Sequence, residues 1–305
     1  MLALKENMKA EQSNEQSILV PYTKSLTPRT ISSLPQDLPI AQLRTVHLNT
    51  LLQGDNAEAQ KLFEACKIDS FFYLNIKDIY EHVLDVIDRI FEIDKELYDC
   101  SYEEKLLYDV DKISDFKLDG YKPVGRNFET NNLVTCHRPN EPFPDIIRLL
   151  KYHAQDISER GALHTPHTDL GSLTSLFTRQ PGLQILAPDA EQWTWVEPRQ
   201  DLRNRKFRRY VALLTNGYIK SCLHMVGPFP GQAMPERYSF AYLARAEIRT
   251  PMTGLKSPLI PAADNSREVL ASGDWIKKKF GSLRLGSRKE EQDWVLTGQR
   301  KALPV

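Results

Sequence analysis

From Ile146 onward the chain is written in short apolar runs broken by glycine, proline and aspartate, as in Pro181-Gly182-Leu183-Gln184-Ile185-Leu186 and Trp193-Thr194-Trp195-Val196. Short runs bounded by turn formers read as the strands of a β-sandwich or barrel. Gly171-Ser172-Leu173-Thr174-Ser175-Leu176-Phe177 alternates small or hydroxylated residues with apolar ones after a glycine turn. Residues two apart on a strand share a face. In Arg237-Tyr238-Ser239-Phe240-Ala241-Tyr242-Leu243 the arginine and serine therefore face one way and the aromatics the other.

The first half carries a different period. Ala59, Leu62, Phe63 and Cys66 recur at helical spacing within Ala57 to Cys66, and Ser70 to Ile76 is an aromatic and aliphatic run that suits a buried strand. Tyr80, Val83, Leu84, Val86, Ile87, Ile90 and Phe91 predict a second helix, which Glu92 to Tyr108 continues in charged form. A Gly-Tyr-Lys-Pro turn at Gly120 to Pro123 ends the helical half, and the polar tail from Asp264 is predicted helical near Trp275 to Phe280.

The β period also organises the chemistry. His167 and Asp169 are two apart and share a strand face, and His224 follows within the apolar run Cys222-Leu223-His224-Met225-Val226. Two imidazoles and one carboxylate on one side of a metal form the facial triad of non-haem Fe(II) sites, which leaves coordination positions open. His-x-Asp alone is weak, but a distal histidine and a following Arg-x-Ser make coincidence hard to sustain. Arginine presents a planar fork of donors that matches a carboxylate, and the serine hydroxyl adds one hydrogen bond.

His164 precedes Thr165-Pro166, lacks a carboxylate two residues on, and reads as a non-ligand. His47, His82, His137 and His153 have no companions at ligand spacing and read as surface or satisfied core residues. Trp193 and Trp195 read as packing. Tyr121, Lys122 and Arg126 lie in a glycine-rich loop that either covers a site or merely connects the two halves.

Forty basic residues balance forty acidic ones, so no charge excess points to nucleic acid or an anionic membrane. Met1 to Ser33 has no apolar run of signal or membrane-span length, which predicts a soluble, cytoplasmic protein with a small-molecule partner. Cys66, Cys100, Cys136 and Cys222 are scattered without Cys-x-x-Cys pairing and read as free buried thiols. The oligomeric state is open.

Leu38-Pro39-Ile40, Glu64-Ala65-Cys66 with Phe71-Phe72-Tyr73-Leu74, His167-Thr168-Asp169-Leu170-Gly171-Ser172-Leu173-Thr174, Asn216-Gly217-Tyr218-Ile219-Lys220-Ser221 before His224, and Arg237-Tyr238-Ser239 together give a familiar pattern. The chain resembles the isopenicillin N synthase-like 2-oxoglutarate- and Fe(II)-dependent oxygenases over most of residues 38–260. The resemblance implies a mainly β fold with flanking helices, a double-stranded β-helix (jelly roll) wrapped by an N-terminal α/β region. It divides the chain into a flexible leader (1–37), an N-terminal helical region (38–140), the Fe(II)/2-oxoglutarate jelly roll (141–260) and a polar tail (261–305). It also implies Fe(II) ligands His167, Asp169 and His224, and Arg237 and Ser239 on the distal carboxylate of 2-oxoglutarate. Tyr152 matches a family tyrosine near the co-substrate, although Leu150 stands where the family often has Asn. The activity implied is O2-dependent decarboxylation of 2-oxoglutarate coupled to oxidation of a small organic substrate by hydroxylation, desaturation or ring closure, in specialised metabolism.

The chain departs from the family between Trp195 and Asn216. Where an apolar strand is usual, Arg199, Arg203, Arg205, Lys206, Arg208 and Arg209 intervene. Unpaired charges in a dry interior cost several kcal/mol by order of magnitude, so this segment is expected to leave the core, displaced outward or leaving the sheet incomplete. A basic loop with Tyr210 to Leu214 taking over the strand, an altered transcript, and a member that has lost activity all stay open. The near-family spacing favours a locally damaged strand with the ligands intact. Two other functions compete with the dioxygenase: a 2-oxoglutarate-independent iron oxidase on the same fold, and a catalytically impaired jelly-roll relic.

Overall fold

The computed structural model describes residues 34–76, 83–109, 146–154, 156, 164–169, 171–199, 202–207, 209–244, 250–254, 258, 260–262 and 269–275. Its elements are β1 (Thr45–His47), α1 (Leu48–Leu52), α2 (Asn56–Glu64) running into a π-helical turn (Ala65–Asp69), β2 (Phe71–Asn75), α3 (Val83–Asp99) and α4 (Tyr102–Leu107). There follow β3 (Ile146–Tyr152), β4 (His164–His167), β5 (Leu173–Thr178), β6 (Leu183–Leu186), β7 (Thr194–Trp195), β8 (Leu202–Phe207), α5 (Arg209–Leu214), β9 (Leu223–Val226) and β10 (Arg237–Ala244). Among the described residues the strands form two sheets, ordered β1-β2-β8-β5-β10-β3 and β4-β9-β6-β7. Neighbours are antiparallel except β1 and β2, which run parallel. Helices precede the strand-rich half, as the two sequence periods predict.

The period of two decides what each strand buries. Phe71 and Tyr73 of β2 join Leu176, Ala241 and Leu243 of the larger sheet in one core with Leu183, Ile185 and Val226 of the smaller sheet. Their neighbours Phe72 and Leu74 point the other way, into a second cluster with Val46, Ala65 and Cys66. β2 thus needs apolar residues at consecutive positions because both of its faces are covered. β10 divides likewise: Tyr238 and Phe240 pack with Ile87 and Phe91 of α3. Phe240 stacks on Phe177 at 4.3 Å and meets Phe91 edge-on at 5.0 Å. Arg179 then ties α3 to β5 by pairing with buried Asp88 while its guanidinium lies 4.5 Å from the Phe91 ring.

Several expectations need correction. Residues 92–108 are two helices, because Ser101 and Glu104 form a reciprocal capping box that starts α4 afresh. In α2 the buried side chain is Glu58 and not Ala59, since Glu58 accepts from the His47 backbone N–H at 2.7 Å and pairs with Lys61 at 2.6 Å. Cys66 and Cys222 are buried, but Cys100 is exposed; Cys136 lies outside the described residues. Residues 272–275 are helical, and the remainder of the predicted helix to Phe280 lies outside the described residues, as do residues 1–33, Tyr80 and the turn at Gly120 to Pro123.

The main correction concerns the basic segment. Leu202–Phe207 neither leaves the sheet nor leaves it incomplete; it is β8, paired with β2 on one side and β5 on the other. Tyr210 to Leu214 does not take over the strand, because it belongs to α5. The backbone ladder satisfies a strand's N–H and C=O groups whatever the side chains are. Two long neighbours with open edges can therefore recruit a segment whose composition argues against it.

Candidate active site

The end of β4 faces β9 in antiparallel register, with His167 opposite His224 and a register shift between His164 and His167. Their ring centroids are 4.2 Å apart. Asp169 stands just past the strand, and its Oδ1 is 3.6 Å from the Nε2 of both histidines. One ligand atom from each of His167, Asp169 and His224 lies within 4.8 Å of the others. At 3.6 Å the carboxylate oxygen is beyond direct hydrogen-bonding distance of either histidine nitrogen, so it converges on both without being committed to one.

Neighbouring groups hold these side chains in place. Thr174 Oγ1 donates to Asp169 Oδ2 at 2.9 Å, leaving Oδ1 turned toward the histidines. His224 Nδ1 lies 3.5 Å from the Cys222 carbonyl oxygen. A proton on Nδ1 toward that carbonyl leaves Nε2 with a lone pair for a metal. Two nitrogens and one oxygen, with a cavity on their open side, fit a non-haem Fe(II) ion.

The same cavity is lined by Tyr152, Arg237 and Ser239. Arg237 is 1% exposed, among the largest fully buried side chains of the described residues. Its Nε donates to the Pro181 carbonyl at 2.9 Å, one terminal nitrogen to Thr178 Oγ1 at 2.9 Å, and the other to Ser239 Oγ at 3.2 Å. The Tyr152 ring lies against it, 5.1 Å from the guanidinium carbon to the ring centroid. Burial lowers Arg237 from its ordinary value, opposed by Tyr152, and the same burial raises Tyr152, opposed by Arg237. Among the described residues no carboxylate pairs with this cation; its hydrogen-bond acceptors are neutral. Gly182 makes the close packing possible: it sits at φ +115°, and a Cβ there would lie 3.0 Å from Met234 and 3.6 Å from Arg237.

The structure thus brings His167, Asp169, His224, Arg237, Ser239 and Tyr152 to one cavity. His47 Nδ1 lies 3.2 Å from the Asn75 amide nitrogen and His153 is exposed, both away from the cluster. Trp195 is buried against Phe229 at 4.6 Å. The His164 side chain, His82, His137, Tyr121, Lys122 and Arg126 lie outside the described residues. Sequence reasoning missed Thr174, Thr178 and Arg148. The two hydroxyls stand on alternate positions of β5, either side of cavity-lining Leu176, and that spacing was the available signal.

Two family models match the chain: the N-terminal region of non-haem dioxygenase in morphine synthesis over residues 38–164, and the 2OG-Fe(II) oxygenase superfamily over residues 134–246. The chain is 32% identical to the 2-oxoglutarate-dependent dioxygenase iboH of Amanita muscaria, over 53% of this chain and 75% of that protein. It belongs to the 2-oxoglutarate- and Fe(II)-dependent oxygenases. This oxygenase is a non-haem iron oxidoreductase with 2-oxoglutarate as co-substrate, as the resemblance implied. It is also 26% identical to the 2-oxoglutarate-dependent dioxygenase gloE of Glarea lozoyensis, over 85% of this chain and 94% of that protein. Its fold matches the crystal structure of a full-length Neurospora crassa protein in complex with alpha-KG, with a TM-score of 0.64, 19% identity, and coverage of 82% of this chain and 98% of that chain. These likenesses do not favour the 2-oxoglutarate-independent oxidase or the relic. No helix among the described residues of the oxygenase is long and apolar enough to cross a membrane.

Proposed function

We propose that His167, Asp169 and His224 hold the Fe(II), and that Arg237, Ser239 and Tyr152 hold 2-oxoglutarate. The substrate is a small organic molecule oxidised by hydroxylation, desaturation or ring closure, in specialised metabolite biosynthesis in the cytoplasm. The observation that carries the co-substrate assignment is Arg237. A fully buried guanidinium with only neutral acceptors is costly, and an incoming carboxylate would relieve that cost. Its Nε is held by Pro181, which leaves the terminal nitrogens beside Ser239 to meet the carboxylate in a fork.

Bound Fe(II) supplies O2 activation coupled to decarboxylation of 2-oxoglutarate to succinate and CO2. The chain's own residues do the positioning. Thr174 fixes Asp169, Pro181 and Thr178 fix Arg237, and Leu150, Leu176, Leu183 and Leu243 make an apolar wall that excludes water from the reacting centre. We further read the two facing sheets as a double-stranded β-helix spanning 141–260, after a leader (1–37) and an N-terminal region (38–140) and before a tail (261–305). β1 and β2 of the N-terminal region extend the larger sheet of that core.

Anaerobic titration of the full chain with Fe(II) and then 2-oxoglutarate tests the assignment, read by the visible absorption of the iron–keto acid chelate. One Fe(II) per chain and a saturable band are expected. Asp169→Ala should lose the metal, whereas Arg237→Ala should keep the metal and lose the band at the same 2-oxoglutarate concentration. A folded wild-type protein that binds neither would refute the proposal.

A further inference from the structure

The cavity contains a second guanidinium that the co-substrate reading does not use. Arg148 lies on β3, two and four residues from Leu150 and Tyr152, and lines the cavity with them and with His167, Asp169 and His224. Arg148 is half-buried, not sealed like Arg237. Among the described residues no hydrogen bond or ion pair is seen for it, and its charge acts on the Tyr152 hydroxyl across the same cavity.

The register shows where this cation stands. β3 runs antiparallel to β10, with Tyr152 opposite Arg237 and Arg148 opposite Ala241. The two arginines are therefore separated by four residues of strand, roughly 13 Å. On the other side of β10, Ala241 stands opposite Leu176 and Leu243 opposite Thr174, the residue that bonds Asp169. Arg148 is thus level with Leu176, two residues along β5 from Thr174, while Arg237 anchors the far end of the cleft. The methyl side chain of Ala241 leaves space beside Arg148 on the cavity face.

We propose that Arg148 anchors the organic substrate by a carboxylate, so that the substrate class of this oxygenase is small carboxylic acids. The inference rests on the reading of Arg237 as the 2-oxoglutarate anchor, which commits one arginine to the co-substrate and leaves the other for the substrate. A single guanidinium presents two parallel donors that match a planar carboxylate. A phosphate dianion would call for more positive charge than one arginine offers, and Asp169 on the same cavity adds repulsion. The bond is directional, so Arg148 would fix which C–H bond of the substrate faces the metal cluster.

The test is calorimetric titration of the full chain loaded with Mn(II) and saturating 2-oxoglutarate, with benzoate and hexanoate set against benzamide and hexanamide. Wild-type protein should bind the acids at least about ten-fold tighter than the amides, the worth of a hydrogen bond to a charged group. Arg148→Gln should erase that preference, and Arg148→Lys should keep part of it, since it keeps charge without the fork. All three proteins should bind 2-oxoglutarate within two-fold of one another. Equal or undetectable binding of acid and amide by wild type, or a preference that survives in Arg148→Gln, overturns the proposal alone. Failure of wild type to bind 2-oxoglutarate overturns the Arg237 reading along with it.

Discussion

Arg237→Lys keeps the charge of the proposed co-substrate anchor and removes its geometry. The arginine makes three hydrogen bonds from three different nitrogens, to Pro181, Thr178 and Ser239. One ammonium on a flexible stem cannot hold those directions and also present a parallel pair of donors. Losing one charge-assisted bond of the fork should weaken 2-oxoglutarate by about 1.5–3 kcal/mol, or about 10- to 150-fold in Kd. Loss of the bonds to Pro181 and Thr178 should lower stability by about 1 kcal/mol each. Fe(II) affinity should not change, because none of the three metal-ligand candidates bonds Arg237. Calorimetric titration of 2-oxoglutarate into the metal-loaded variant measures the main effect. A Kd within two-fold of wild type, or metal affinity lost together with 2-oxoglutarate, would refute the reasoning.

Thr174→Val removes the hydroxyl that fixes Asp169 Oδ2 at 2.9 Å while keeping the side-chain shape. A metal titration should show Fe(II) affinity reduced by about 10- to 100-fold, and unchanged affinity would mean that Asp169 needs no such support. Asp94 is fully buried on α3, neither of its oxygens is hydrogen-bonded among the described residues, and burial raises its carboxyl to about 7 against the opposing charge of Lys151. The folded carboxyl keeps its proton up to that pH while the unfolded one loses it near about 4. Stability should therefore fall as pH rises from about 4 to 7 and level off above, and Asp94→Asn should flatten that slope. Thermal unfolding across pH checks it; an unaltered slope contradicts it. In β8, Arg203 stands opposite Leu74 and Arg205 opposite Phe72, both buried residues. Arg203→Val with Arg205→Val should raise Tm, since valine suits an interior strand; a lower Tm would mean that these arginines stabilise the sheet.

The site was legible because its chemistry is written at the strand period. His167 and Asp169, like Arg237 and Ser239, are two apart, and residue type together with that period predicts a shared face. The inward and outward faces of β10 were legible for the same reason. β8 was not, because whether Leu202–Phe207 becomes a strand is decided by β2 and β5, which lie far away in sequence. Local composition then argues for a loop while nonlocal backbone pairing makes a strand. α5 follows from the same pairing: with β8 between β2 and β5, that place in the larger sheet is filled, and Tyr210 to Leu214 is helical instead. Thr174 and Thr178 were signalled only by their alternate spacing on β5, whereas Arg148, a lone cation on a strand, has no signature until its partner strand is known. The break between α3 and α4 was available in the sequence: Ser101 followed three residues later by Glu104 is a capping box.

β8 also bears on whether the enzyme turns over. A basic segment within the larger sheet leaves the ligand cluster assembled, because His167, Asp169 and His224 are placed by β4, β9 and the residues just past β4. The pairing of β8 on both sides keeps β5, and with it Thr174 and Thr178, in register with β10. The oxygenase should therefore be active in spite of the unusual strand composition.

Succinate release tests that claim most directly. The purified full chain, given 2-oxoglutarate and O2, should form succinate when Fe(II) is supplied and none when it is withheld, and Asp169→Ala should form none in either case. Succinate formed without iron, succinate formed at the wild-type rate by Asp169→Ala, or a folded iron-loaded wild type that forms none would contradict it.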